Sequence, residues 1–195
     1  MTYQDAAVGA DPHTGGGRRV VVGVSGSLGS LAALHRAVAE AVTRGAEVLA
    51  VLAWVPQGGE HGYRLAPCPP LLTAWREAAA ARLAEALDEA FGGAPAGVGF
   101  SARAVRGDAG EVLVRTADRP GDLLVVGAGG GLLRRGLRPS VTAYCVRRAG
   151  CPVLAVPRPA LQRDLADLHR RNRWHLPARL PAHPPTGPAA PAASR

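Results

Sequence analysis

Residues 20–54, VVVGVSGSLGSLAALHRAVAEAVTRGAEVLAVLAW, hold two short apolar runs on either side of one helical period. Val20-Val21-Val22-Gly23-Val24 is β-branched apart from one glycine, the pattern of a strand buried on both faces. Leu31, Leu34, Val38, Ala41 and Val42 then recur at helical spacing, and Gly45 supplies a C-cap. Val48 to Trp54 is a second apolar run. Two strands buried on both sides and joined through a helix imply a parallel pair with a right-handed crossover.

Beyond Trp54 the alternation continues. Pro56 to Pro70 reads as a long polar loop. Leu72, Trp75, Ala79, Leu83, Leu87 and Phe91 form the stripe of a second helix, closed by Gly92-Gly93. Val98 to Val105 reads as a third strand, and Asp108 with Glu111 as a capping box opening a helix through Ala117. Leu123 to Val126 is a fourth strand, a helix follows from Ser140, and Pro152 to Val156 is a fifth strand. This order predicts an α/β domain: a five-stranded parallel open sheet of order 3-2-1-4-5 with helices on both faces. In that order the first and fourth strands are neighbours where the winding reverses, and the loops after them share one crevice.

The domain is expected over 18–157. Residues 1–17, ending in Thr14-Gly15-Gly16-Gly17, read as a flexible leader. Residues 158–195 read as a basic Pro/Ala-rich tail, with Leu161, Leu165 and Leu168 at helical spacing inside 160–173. Hydrophobic residues make up 47% of the chain, enough for a sizeable core, yet no run is long enough for a transmembrane helix. Three cysteines without a CxxC, and no apolar signal segment, point to a reduced, cytoplasmic setting with neither a disulfide framework nor a metal site. The net charge of +8 is carried entirely by arginine, with no lysine, and residues 157–195 hold as large an excess as residues 18–156. Only Trp174 accompanies the tail arginines, so the basic-aromatic pattern of a nucleic-acid surface is missing.

The two crevice loops differ in content. Ser25-Gly26-Ser27-Leu28-Gly29-Ser30 fails the dinucleotide fingerprint, because Ser25 takes the place of the middle glycine and Trp54 stands where a ribose-binding acid belongs. It faintly resembles the S-G-G-x-D-S loop of ATP pyrophosphatases, with Gly29 in place of the carboxylate, so adenylate-forming chemistry is set aside. The second loop runs Val126-Gly127-Ala128-Gly129-Gly130-Gly131 and continues to Pro139-Ser140-Val141-Thr142. Its glycines let backbone N–H groups converge on an anion, and Pro139 suits the first turn of a helix whose N-terminus attracts phosphate. Ser140 and Thr142 offer hydroxyls, and Arg134, Arg135 and Arg138 offer full charges. Against this stands the plainer alternative of a solvated linker followed by a helix cap. Neither loop holds a carboxylate to serve as a general base or bind Mg²⁺, so no catalytic residues and no enzyme are expected.

Taken together, Val20 to Ser27, Val125-Val126-Gly127, Pro139 to Arg147 and Cys151 to Pro157 resemble a universal stress protein (UspA-like) domain. The resemblance implies a Rossmann-like, HUP-type fold and an adenine nucleotide, ATP foremost, as ligand. It implies an adenine pocket at Ser25 and the backbone of Leu52 and Val126, with phosphates at Gly127, Gly130, Ser140, Val141 and Thr142. It also implies a homodimer through the last strand, at Val153, Leu154 and Val156. The chain departs from the family signature G-x2-G-x9-G-[ST]: Pro139 precedes Ser140 where the family has glycine, the stretch 131–138 is one residue short, and Ser25 replaces an aspartate. Proline has no N–H to donate, so Arg134, Arg135 and Arg138 are the expected replacement contacts. Members of the family that bind no nucleotide leave a second alternative open: a dimeric scaffold with a vestigial phosphate loop.

Overall fold

A computed structural model describes residues 17–93, 95, 97–128 and 140–157. Its elements run β1 (Arg19–Val24), α1 (Leu28–Arg44), β2 (Glu47–Trp54), α2 (Gly59–Leu65), α3 (Pro69–Phe91), β3 (Phe100–Arg106), α4 (Ala109–Thr116), β4 (Leu123–Gly127), α5 (Val141–Arg148) and β5 (Val153–Val156). The strands form one sheet of order β3-β2-β1-β4-β5, and every pairing is parallel. The chain divides into two units, Met1–Pro159 and Ala160–Arg195. The second unit, the tail with its 160–173 helix, and the leader up to Gly16 lie outside the described residues.

Strand parity sorts the core into two layers. Val20, Val22 and Val24 of β1, with Val48, Ala50, Leu52 and Trp54 of β2, pack beneath α1 and α3. Val21, Leu49, Val51, Leu124 and Val126 face the opposite layer, with Val112 and Leu113 of α4 and Cys145 of α5. Both faces of the central strands are therefore dry, as the continuous apolar runs require. α1 meets the sheet through Leu34 and the small side chains of Ala33, Ala37 and Ala41, which let the helix lie close.

Helix ends follow local chemistry. The Ser27 hydroxyl accepts the Ser30 N–H, Gly45 closes α1 at φ 58°, and Gly92 closes α3 at φ 62°. Several expectations shift. The polar stretch Pro56 to Pro70 contains α2, which hydropathy could not mark because none of its residues is buried. Val42 is 58% exposed, since the buried arc of α1 centres on Ala37 and Ala41 and leaves Val42 beyond its edge. β3 begins at Phe100 and extends to Arg106. At α4 the Asp108 carboxylate takes the Gly110 N–H, a side-chain cap without the reciprocal Glu111 bond of a capping box. α5 begins at Val141, with Ser140 as its N-cap.

At the amino end of the sheet Arg19 reaches Asp122 through Nε at 3.1 Å and a terminal nitrogen at 2.7 Å. The Arg119 N–H donates to the same carboxylate at 3.2 Å. This network ties the start of β1 to the start of β4, and its hydrogen bonds, Asp122 first, hold the Arg19 guanidinium above its ordinary pKa.

Candidate functional site

The winding of the sheet reverses between β1 and β4, and in parallel sheets ligands bind at the carboxyl ends of such a strand pair. Gly127 closes β4 there. A Cβ on it would stand 2.6 Å from the Gly29 carbonyl oxygen and 2.9 Å from the Gly29 carbonyl carbon. The first turn of α1 therefore rests directly on the end of β4, and the two sequence-predicted loops meet at this contact.

On the β1 side, Gly26 takes φ 74°, which turns the chain sharply into α1. Ser25 is exposed, and its hydroxyl lies 3.1 Å from that of Ser27. The Ser30 hydroxyl donates back to the Ser27 carbonyl at 2.8 Å. No acid lies in the first turn of α1, so its positive end is not neutralised from within.

On the β4 side, the Ser140 hydroxyl accepts the Ala143 N–H at 3.1 Å and keeps its own proton available. Thr142 behaves differently: its hydroxyl donates to the Gly127 carbonyl at 3.1 Å, so its single proton ties α5 to β4 instead of standing ready for an anion. The Ala128 N–H donates to the Val156 carbonyl at 2.7 Å. Ser140, Val141 and Thr142 are half-buried beside this seam. Leu52 and Val126 are buried, their side chains in opposite core layers, which leaves main-chain atoms as what they can offer a ligand. Gly130, Arg134, Arg135, Arg138 and Pro139 lie outside the described residues.

The residues present suit an anionic ligand: hydroxyls and backbone amides at two helix starts, and no carboxylate in 24–34 or 123–135. Among the described residues no group of three His, Cys, Asp or Glu side chains is placed to hold a metal ion. Cys145 is buried in the α4/α5 layer, where burial pushes its thiol up to about 11, a poor nucleophile near neutral pH.

A polar group not expected from the sequence stands at the carboxyl ends of β2 and β3. Arg106 donates to both carboxylate oxygens of Glu60 on α2, at 2.8 and 2.7 Å, and its guanidinium lies 4.8 Å from the centre of the Tyr63 ring. Tyr63 in turn meets Trp75 of α3 edge-on at 6.4 Å. The Arg106 hydrogen bonds hold the Glu60 carboxyl below its ordinary pKa. The available signal was Arg106 itself, a charge at the strand parity of Phe100, Ala102 and Ala104, all of which pack on the core.

Comparison with known proteins agrees with this architecture. Residues 17–157 match the model of the universal stress protein family. Among curated proteins none matches the chain. A universal stress family protein from Burkholderia pseudomallei is 26% identical, with TM-score 0.50 over 71% of this chain and 95% of that one. The hypothetical protein MJ0577 is 21% identical, with TM-score 0.56 over 73% and 96%, a likeness of fold. A universal stress protein in complex with cAMP is 28% identical over 73% and 98%, with TM-score 0.48.

Proposed function

The chain belongs to the universal stress protein family, and from that premise we propose that it is a cytoplasmic stress-response protein that binds an adenine nucleotide, ATP foremost, as a sensor or regulator. Residues 18–157 form the binding domain, between the 1–17 leader and the 158–195 tail. The observation that carries the reading is the close packing of Gly127 on Gly29, where an added Cβ would stand only 2.6 Å from the Gly29 carbonyl oxygen, so that the serine-lined start of α1 lies against the strand leading into the glycine loop. Ser25 and the main chain of Leu52 and Val126 then flank the base, while Gly127, Gly130, Ser140 and Val141 face the phosphates. Thr142 acts indirectly, holding Gly127 in place. With no general base at hand, the role is binding rather than catalysis.

Calorimetric titration of the full chain with ATP, AMP and cyclic AMP tests this, and a binding isotherm with ATP is the expected result. The loop arginines replace the donor missing at Pro139, and a hydrogen bond to a charged group contributes about 1.5–3 kcal/mol. Arg138→Gln is therefore expected to weaken ATP about tenfold, and an unchanged isotherm would reduce the arginine to ordinary surface. Silence with all three nucleotides favours the second reading, a dimeric scaffold with a vestigial loop. Two facts speak for that alternative: the Thr142 proton is already engaged, and Ser25 stands where the family carries an acid.

Either reading includes a homodimer. β5 pairs with β4 alone among the described residues, and its Val153, Leu154 and Val156 are only half-buried. An uncovered apolar edge invites pairing with a second copy. Light scattering at tens of micromolar, the order of ordinary micromolar affinities, is expected to give the dimer mass.

A further inference from the structure

β3 ends the sheet opposite β5 and has β2 as its one neighbour among the described residues. It pairs with β2 residue for residue, from Phe100 with Val48 to Arg106 with Trp54, so no bulge interrupts it. The Val48 N–H donates to the Gly99 carbonyl at one end, and the Gly107 N–H to the Trp54 carbonyl at the other. Main-chain direction alternates along a strand, so the odd-numbered residues of β3 bond β2. Phe100, Ala102, Ala104 and Arg106 turn their N–H and C=O groups outward, where no described main-chain group meets them. A continuous, proline-free edge of this kind is a template for a further strand.

The two faces flanking that edge differ. α3 packs over β3 on the face of Phe100 and Ala102, where Phe100 meets Phe91 edge-on at 6.1 Å and both stay half-buried. The opposite face carries Ser101 and Arg103, both exposed. An Arg115 nitrogen of α4 reaches the same face, 4.0 Å from where a Cβ on Gly107 would stand. Neither arginine forms an ion pair among the described residues. Glu47, the acid on this face, sits at the amino end, beside Gly99.

We infer that the β3 edge takes an extended acidic segment of another protein as an added strand, its main chain bonding the outward groups of Phe100, Ala102, Ala104 and Arg106. The pleat then sorts the partner's side chains: apolar ones beside Phe91 and Phe100, carboxylates beside Arg103 and Arg115. A second copy fits this edge poorly. Two β3 strands paired antiparallel about their centre set Arg103 against Arg103, and like charges directly opposite repel. Self-pairing here as well as at β5 would also string the chains into an open filament.

The test adds a capped peptide of alternating Glu and Val, about the length of β3, to the ¹⁵N-labelled full chain and follows amide exchange. In the free chain the Ala102 and Ala104 amides are expected to exchange fast and those of Arg103 and Val105 slowly. The acidic peptide is expected to slow Ala102 and Ala104 by about tenfold or more. A peptide of alternating Lys and Val is expected to leave them as they were. Arg103→Glu is expected to weaken the acidic peptide about tenfold, since it exchanges an attractive cross-strand pair for a repulsive one. That side chain is exposed, so the variant keeps its fold. Ala104→Pro removes one outward N–H at a position where an edge strand accepts proline, and is expected to abolish the protection of Ala102. Exchange at Ala102 and Ala104 that the acidic peptide does not move overturns the proposal, whatever the variants do. Equal protection by the Lys peptide, or an unweakened Arg103→Glu, overturns the acidic partner. Slow exchange at both amides in the free chain overturns it too: if it grows with chain concentration a second copy fills the edge, and if it does not the chain fills its own.

Discussion

Asp122→Ala is expected to lower the unfolding free energy by about 3–5 kcal/mol, the range for removing one partner of a buried ion pair. Asp122 is 2% exposed and accepts from the Arg19 side chain and the Arg119 main chain. The alanine variant takes away the buried counter-charge of the Arg19 guanidinium, itself mostly buried, and leaves it only the exposed Asp118 as an ionic partner. The loss falls on the seam between β1 and β4, the central pair of the sheet. For a chain of this size it corresponds to a fall in midpoint of roughly 6–20 °C. Asp122→Asn keeps much of the shape and an acceptor, so it should cost distinctly less. Urea unfolding of the three proteins checks the ordering; a loss below about 1 kcal/mol for the alanine variant would mean that the pair behaves as an exposed surface bridge.

The second large effect belongs to Gly127→Ala. The added carbon would sit 2.6 Å from the Gly29 carbonyl oxygen, 2.9 Å from its carbon and 3.4 Å from the Ser30 nitrogen, all main-chain atoms of the first turn of α1. Main chain cannot rotate away as a side chain can. The helix start has to slide off the end of β4, at an overpacking cost of about 1–3 kcal/mol or more. Gly110→Ala is the informative comparison. Its carbon would also fall 2.6 Å from a neighbour, but that neighbour is the Tyr144 ring, which can swing aside. Gly127→Ala should therefore be the more damaging and should also remove ATP binding, because the same shift parts the two loops. Equal losses for the two variants in denaturant unfolding would show that the α1 turn yields as easily as a tyrosine.

The layout of the sheet was legible because runs such as Val20–Val24 and Leu123–Val126 are apolar without alternation, which only a strand covered on both faces explains. The same lack of alternation hid which residue faces which layer: Val20 and Val22 go one way and Val21 the other, a matter settled by where the crossovers pass. α2 could not be read, since periodicity detects helices that bury an apolar stripe and this one has no fully buried residue. In the candidate site, Gly127 was visible as a glycine in a loop, but its contact with Gly29 joins residues almost a hundred positions apart. Thr142 looked like a free hydroxyl because its acceptor is a main-chain carbonyl from another strand.

The weak seating of α2 means that resistance to opening is not uniform along the chain. A segment held by a few side-chain ties, from Arg106 to Glu60 and Tyr63 and from Tyr63 to Trp75, and hinged at the paired glycines Gly58 and Gly59 opens below the free energy of global unfolding, so its amides exchange while those of β1 and β2 stay protected. Cleavage by trypsin after Arg64, in the last turn of α2, would therefore follow this local opening and not the stability of the sheet. Added salt weakens the attraction between Glu60 and Arg106, both about one-third exposed, and so turns ionic strength into a dial for protease sensitivity at Arg64.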